Sequence, residues 1–123
     1  MYKIINLTKF KPGARREDVL AWWRGPHADL AKATPGMVRY VQSHWSSGLD
    51  PATGLATGHP GAFDGHAEHW FVDEASYRTA MASEEWQRCI EDGPTFFDGP
   101  SIVGGELEET VILWTPSGDG RTY

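Results

Sequence analysis

The segment Ala21-Trp22-Trp23-Arg24-Gly25-Pro26-His27-Ala28-Asp29-Leu30 sets an ionisable imidazole on an apolar helical stripe. Val19, Trp22, Trp23, His27, Leu30 and Ala31 recur at the spacing of one buried helix face, so His27 should point inward. An imidazole titrates near neutrality and can take up and return a proton, the work of a general acid/base. Trp22 and Trp23 would dry its surroundings and lower its pKa. Pro26 cannot donate to the carbonyl four residues back, so the helix should kink beside the histidine and open space there. The plainer reading is a core histidine bonded to a backbone carbonyl.

Other side chains could share that chemistry. Tyr40 could donate a hydrogen bond to a developing oxyanion or enolate, or serve as a cross-strand aromatic. His44 would share its strand face, within a pocket or at a surface. In His66-Ala67-Glu68-His69-Trp70, alternation puts His66, Glu68 and Trp70 on one face and His69 on the other, so this strand cannot bring both histidines to one metal ion, and no metal site is expected. Glu68 could orient a catalytic histidine or a substrate hydroxyl, or be an ordinary sheet carboxylate. His59, in a long loop, could close over a ligand or stand in solvent. Six tryptophans exceed what a small core needs, so Trp22, Trp23, Trp70 and Trp86 are candidates, with His44 and His66, for pocket walls. Cys89, near Trp86 and Ile90 and without a basic neighbour, suits packing better than nucleophilic attack. No glycine-rich phosphate fingerprint occurs, so no nucleotide cofactor, and no cofactor of any kind, is expected.

Composition narrows the partners. The chain has 123 residues and a formal charge of -6, from 11 basic and 17 acidic side chains, which opposes nucleic-acid binding. One cysteine leaves no internal disulfide. No apolar run has membrane-spanning length, and Met1-Tyr2-Lys3-Ile4 enters a strand pattern without a signal-peptide layout, so a soluble, cytoplasmic protein without membrane contact is expected.

These residues need elements to hold them. Tyr2 to Phe10 reads as a strand. A helix follows with Glu17 and Asp18 in its first turn, ending at Thr34-Pro35-Gly36. Val38 to Trp45 reads as a second strand. Ser46 to Gly65 is a Gly- and Pro-rich loop, expected to border the pocket as a lid. His66 to Val72 reads as a third strand, then a helix from Asp73 to about Met81. Ser83 caps another helix, stopped by Gly93-Pro94. Leu107 to Trp114 reads as the last strand, and residues 115–123 as a flexible tail. The order β-α-β-β-α-β specifies one α+β domain over residues 1–114, ferredoxin-like, with a four-stranded antiparallel sheet and helices on one face. Val111-Ile112-Leu113-Trp114, apolar at consecutive positions, wants cover on both faces, which a second subunit would give in a dimeric α+β barrel.

Three stretches carry a resemblance to a known family: Trp23-Arg24-Gly25-Pro26-His27-Ala28-Asp29-Leu30, Pro35-Gly36-Met37-Val38-Arg39-Tyr40-Val41 and Asp64-Gly65-His66-Ala67-Glu68-His69-Trp70-Phe71. Over roughly residues 2 to 112 the chain resembles the EthD-domain proteins, dimeric α+β barrels related to muconolactone and methylmuconolactone isomerases and to polyketide-modifying enzymes. The resemblance implies a homodimer with His27 at the catalytic position of the isomerase-like branch and Tyr40 at the tyrosine after the Pro-Gly pair. The expected activity is a cofactor-independent isomerase or lyase that moves a proton, removes water or closes a ring on a small lactone, enol or aromatic polyketide-type carbonyl compound. A non-catalytic ligand carrier or oxidase accessory protein is the alternative, and a cofactor-free or haem-linked oxygenase a further one.

Overall fold

The computed structural model of the chain describes residues 1–115. Its order is β1 (Tyr2–Thr8), α1 (Arg16–Trp22), a π-helical turn (Trp23–His27), α2 (Ala28–Lys32), β2 (Met37–His44), β3 (Gly65–Phe71), α3 (Glu74–Met81), α4 (Glu84–Asp92) and β4 (Val103–Leu107). The strands form one antiparallel sheet in the order β2-β3-β1-β4, the ferredoxin-like arrangement. Asp73 accepts the backbone N–H of Ser76 and Ser83 that of Trp86, capping α3 and α4 where the sequence places acid and hydroxyl. Gly36 takes the positive φ of 79° that turns the chain from α2 into β2.

The first helix breaks at Gly25-Pro26, as the missing N–H demands: Gly25 sits at φ -103°, ψ -106°, outside the helical region. The break reorients α2, yet Trp22, Trp23, His27, Ala28 and Ala31 all remain buried. Val19, Trp22, Trp23, Ala67 and Phe97 form the main core; Ile4, Phe71 and Ala80 form a second cluster. Trp23, 1% exposed, lies so close over β3 that a Cβ on Gly65 would stand 2.5 Å from the Ser43 carbonyl oxygen and 2.8 Å from the Trp23 ring. Gly65→Ala should therefore cost about 1 to 3 kcal/mol of stability, read as a lower urea midpoint at unchanged slope; an unchanged midpoint would contradict the close approach.

Two expectations are corrected. The last strand is Val103–Leu107, not Leu107 to Trp114. Gly104 and Gly105 have no side chains to cover the sheet, and Gly104 fits because a Cβ there would lie 2.6 Å from Asn6 Oδ1. Val111, Ile112, Leu113 and Trp114 lie beyond the ladder and are exposed. The sheet ladder thus selected the glycine-rich segment over the apolar one, and the last strand carries no doubly apolar run for a second subunit to cover. The tail expected from residue 115 onward lies, apart from Thr115, outside the described residues.

The loop after β2 has more order than its composition suggests. Leu49 pairs with Ala56, Gly48 donates to the His59 carbonyl, and Asp64 accepts the Phe10 N–H at 2.7 Å. It packs by Phe10, Ala14 and Arg16, away from the helix-covered centre of the sheet.

Candidate functional site

Between the kinked first helix, α4 and the covered sheet face lies a cavity of about 480 Å³, a size that suits a small organic ligand. Trp23, Trp86, Ile90, Phe97 and Ile102 supply its apolar walls. Asn6, Thr8, His27, Tyr40, His69 and Cys89 bring polar atoms to it.

His27 is buried, its ring 4.5 Å from that of Trp22 and edge-on to Phe97 at 5.6 Å. Its Nδ1 lies 2.9 Å from Asp92 Oδ2, and Trp22 Nε1 donates to the same oxygen at 3.0 Å. A carboxylate oxygen only accepts, so Nδ1 carries the proton and Nε2 keeps its lone pair. Nε2 faces the Cys89 thiol, with Sγ 3.8 Å away. Burial lowers the His27 pKa below its ordinary value, while the hydrogen bond and charge of Asp92 raise it in part. At neutral pH the ring is therefore a neutral base whose protonated form Asp92 stands ready to stabilise. Burial, then the charge of Asp92, push the Cys89 thiol up to about 11, so it stays protonated.

Asp92→Ala should strip the partner from both His27 Nδ1 and Trp22 Nε1, with a loss of roughly 1 to 3 kcal/mol. It should also lower the His27 pKa further and release its tautomer, both visible by imidazole nitrogen NMR. Unchanged nitrogen shifts would contradict the Asp92 bond.

Tyr40 is held by a short relay. Gln42 Nε2 donates to the Tyr40 hydroxyl at 2.8 Å and to the Trp23 carbonyl at 2.7 Å, and its Oε1 lies 2.9 Å from His44 Nε2. Because the phenol oxygen accepts from Gln42, its own proton remains free to donate. Burial pushes the Tyr40 pKa up to about 12, which keeps that proton in place. His69, 3% exposed, stacks on Tyr40 at 4.9 Å and meets the edge of Trp86 at 5.3 Å.

Of the residues expected from sequence, His27, Tyr40, Trp23 and Trp86 thus meet at the cavity, with Trp22 behind His27 and His44 behind Gln42. Glu68, His66 and Trp70 do not reach it. They lie on the opposite sheet face, where Glu68 pairs with Lys3 at 3.2 Å and Trp70 sits between Lys3 and Arg39. His66 there accepts the Trp45 indole N–H at 2.9 Å. His59 is exposed in the loop, and no loop residue from 46 to 64 lines this cavity, so the expected lid does not close over it. The group that orients the histidine is Asp92 rather than Glu68. Its pairing with His27 joins positions 65 apart, and no local pattern in the sequence marks it. His69 follows from the same alternation that removes Glu68. Among the described residues, no three His, Cys, Asp or Glu side chains converge as a metal-ligand set.

The family model described as the EthD domain matches residues 11–100. The fold is similar to that of an ethyl tert-butyl ether D (EthD) family protein from Bacillus halodurans, at 21% identity and a TM-score of 0.70, covering 89% of this chain and 100% of that one. It is also similar to a protein of Arabidopsis thaliana, at 15% identity and a TM-score of 0.67, covering 93% and 100%. A dimeric ferredoxin-like protein of unknown function from Thermobifida fusca matches at 16% identity and a TM-score of 0.58, covering 86% and 88%. No curated protein sequence matches the chain.

Proposed function

The chain belongs to the EthD domain family, and from that premise we propose that it is an isomerase or lyase that works by proton transfer on a small carbonyl compound, using its own side chains. Membership alone does not choose a reaction; the observation that carries this reading is the Asp92–His27 pair, which keeps the Nε2 lone pair, beside the Cys89 thiol, at a largely apolar cavity. With the substrate C–H beside its carbonyl placed at Nε2, His27 takes the proton and Asp92 steadies the imidazolium. Tyr40 donates its phenolic hydrogen to the enolate oxygen. Return of the proton to another carbon gives isomerisation. Return to a leaving hydroxyl gives loss of water, and attack of the enolate within the molecule gives ring closure. Trp22, Trp23 and Phe97 keep water from the base.

The test is deuterium uptake from D2O into a panel of enolisable lactones and cyclic ketones, followed by NMR with and without the protein. Uptake above the buffer rate is expected; ligands that bind without exchange would favour a carrier instead.

A homodimer joined through the open sheet face completes the proposal. That face carries Ile5, Leu7, Val41 and Trp70 with no helix over them, and the Thermobifida fusca neighbour is described as dimeric. Sedimentation should give about twice the chain mass of 13.7 kDa; a monomer at micromolar concentration would refute the pairing.

A further inference from the structure

The cavity's charge balance narrows what it can hold. Among the described residues no Lys or Arg lines it, and the full charge nearest its base is the Asp92 carboxylate bonded to His27. A ligand carboxylate placed there would be desolvated beside like charge with no cation to balance it. Neither imidazole supplies one near neutral pH. His27 lies below its ordinary pKa, and burial, then the charge of His27, hold His69 at about 4.

The hydrogen bonds of His69 are also unmet. Its Nδ1 is buried without a partner among the described residues. Tyr40 stacked on one side and Trp86 edge-on at another hold the plane of the ring. Buried polar atoms are ordinarily satisfied, and an exception in a ligand-sized cavity marks a place for a ligand atom. A neutral imidazole offers one donor and one acceptor, so a ligand carbonyl or hydroxyl can meet it.

We propose that this cavity selects an uncharged carbonyl compound bearing a second oxygen that hydrogen-bonds the His69 imidazole, and that it rejects the corresponding carboxylate. The inference rests on the proposed function only in taking the cavity as the substrate site.

Salicylamide and salicylate share a ring and a hydroxyl and differ in charge, so isothermal calorimetry on the full chain with each tests the selection. At about pH 7, where salicylamide keeps its phenol proton and both imidazoles, lowered by burial, are largely neutral, salicylamide should bind at least about tenfold more tightly than salicylate. His69→Phe should weaken salicylamide about tenfold and narrow the ratio. Ile90→Lys adds a cation at a half-exposed lining position, where the longer side chain has room in solvent. It should raise salicylate affinity about tenfold, and it tests the charge argument even if His69→Phe fails to fold. Equal or tighter salicylate binding by the wild type, no gain with Ile90→Lys, or no binding of either probe at millimolar concentration would overturn the inference. An intact amide preference without deuterium exchange would remove proton transfer and leave this selection standing; exchange with a carboxylate preference would remove the selection alone.

Discussion

His27→Ala is expected to lower deuterium exchange into an enolisable carbonyl substrate by roughly a hundredfold or more, the scale of removing a positioned acid/base group. The protein should still fold. The side chain is buried, so the variant also leaves a cavity and an Asp92 held by Trp22 alone at Oδ2, and a loss of about 1 to 3 kcal/mol in stability accompanies it. Stability and exchange measured on the same sample separate the two effects. A structural histidine would cost stability and leave exchange per folded molecule intact. Cys89→Ala is the matching control, because Cys89 Sγ sits 3.8 Å from Nε2 and completes a Cys-His-Asp array. With its thiol held protonated at about 11, Cys89 covers the base rather than attacking the substrate. Exchange should therefore stay within a few-fold of wild type, whereas a loss as large as that of His27→Ala would assign Cys89 the nucleophile's part.

The second large effect is on acid stability. Burial, with a smaller contribution from the charge of His27, lowers the His69 pKa from 6.5 to about 4. As pH falls through 6.5 the unfolded chain binds this proton first, so the stabilisation is fully present above that value. It is lost progressively down to about 4. That lowering corresponds to about 3 kcal/mol once the proton is bound in both states. His27, shifted in the same direction, adds to the loss. Urea unfolding of the wild type between pH 7.5 and 4.5, compared with His69→Gln, removes the background of the carboxylates. The variant's curve should be distinctly flatter, by roughly 2.5 kcal/mol over the range. Parallel curves would mean that His69 is not held neutral by the fold.

Local chemistry made much of this arrangement legible in the sequence. The Gly25-Pro26 break follows from one missing N–H, and the caps at Asp73 and Ser83 from one acid and one hydroxyl. The inward set of His27 follows from helical spacing, and the separation of Glu68 from His69 from strand alternation. Partners distant in sequence were not legible: Asp92 meets His27 across 65 positions, through α4 packing on the kinked helix. The last strand was misplaced because hydropathy favoured Val111 to Trp114. The observed ladder instead sets Gly104 opposite Asn6, whose side chain fills the space a Cβ there would take. The loop carrying His59 had no periodicity to place it; Gly48 to His59 closes it on itself, and Asp64 to the Thr8 carbonyl ties it to the far end of the sheet.

The central claim, a neutral His27 poised by Asp92 to take a substrate proton, is tested most directly by the pH dependence of deuterium exchange catalysed by the wild type. Because burial holds His27 below its ordinary value of 6.5, the rate should climb with pH through the acid range and level off above an inflection that lies below 6.5. An inflection above that value, a rate that keeps rising with hydroxide, or no exchange into any carbonyl compound that binds would contradict it.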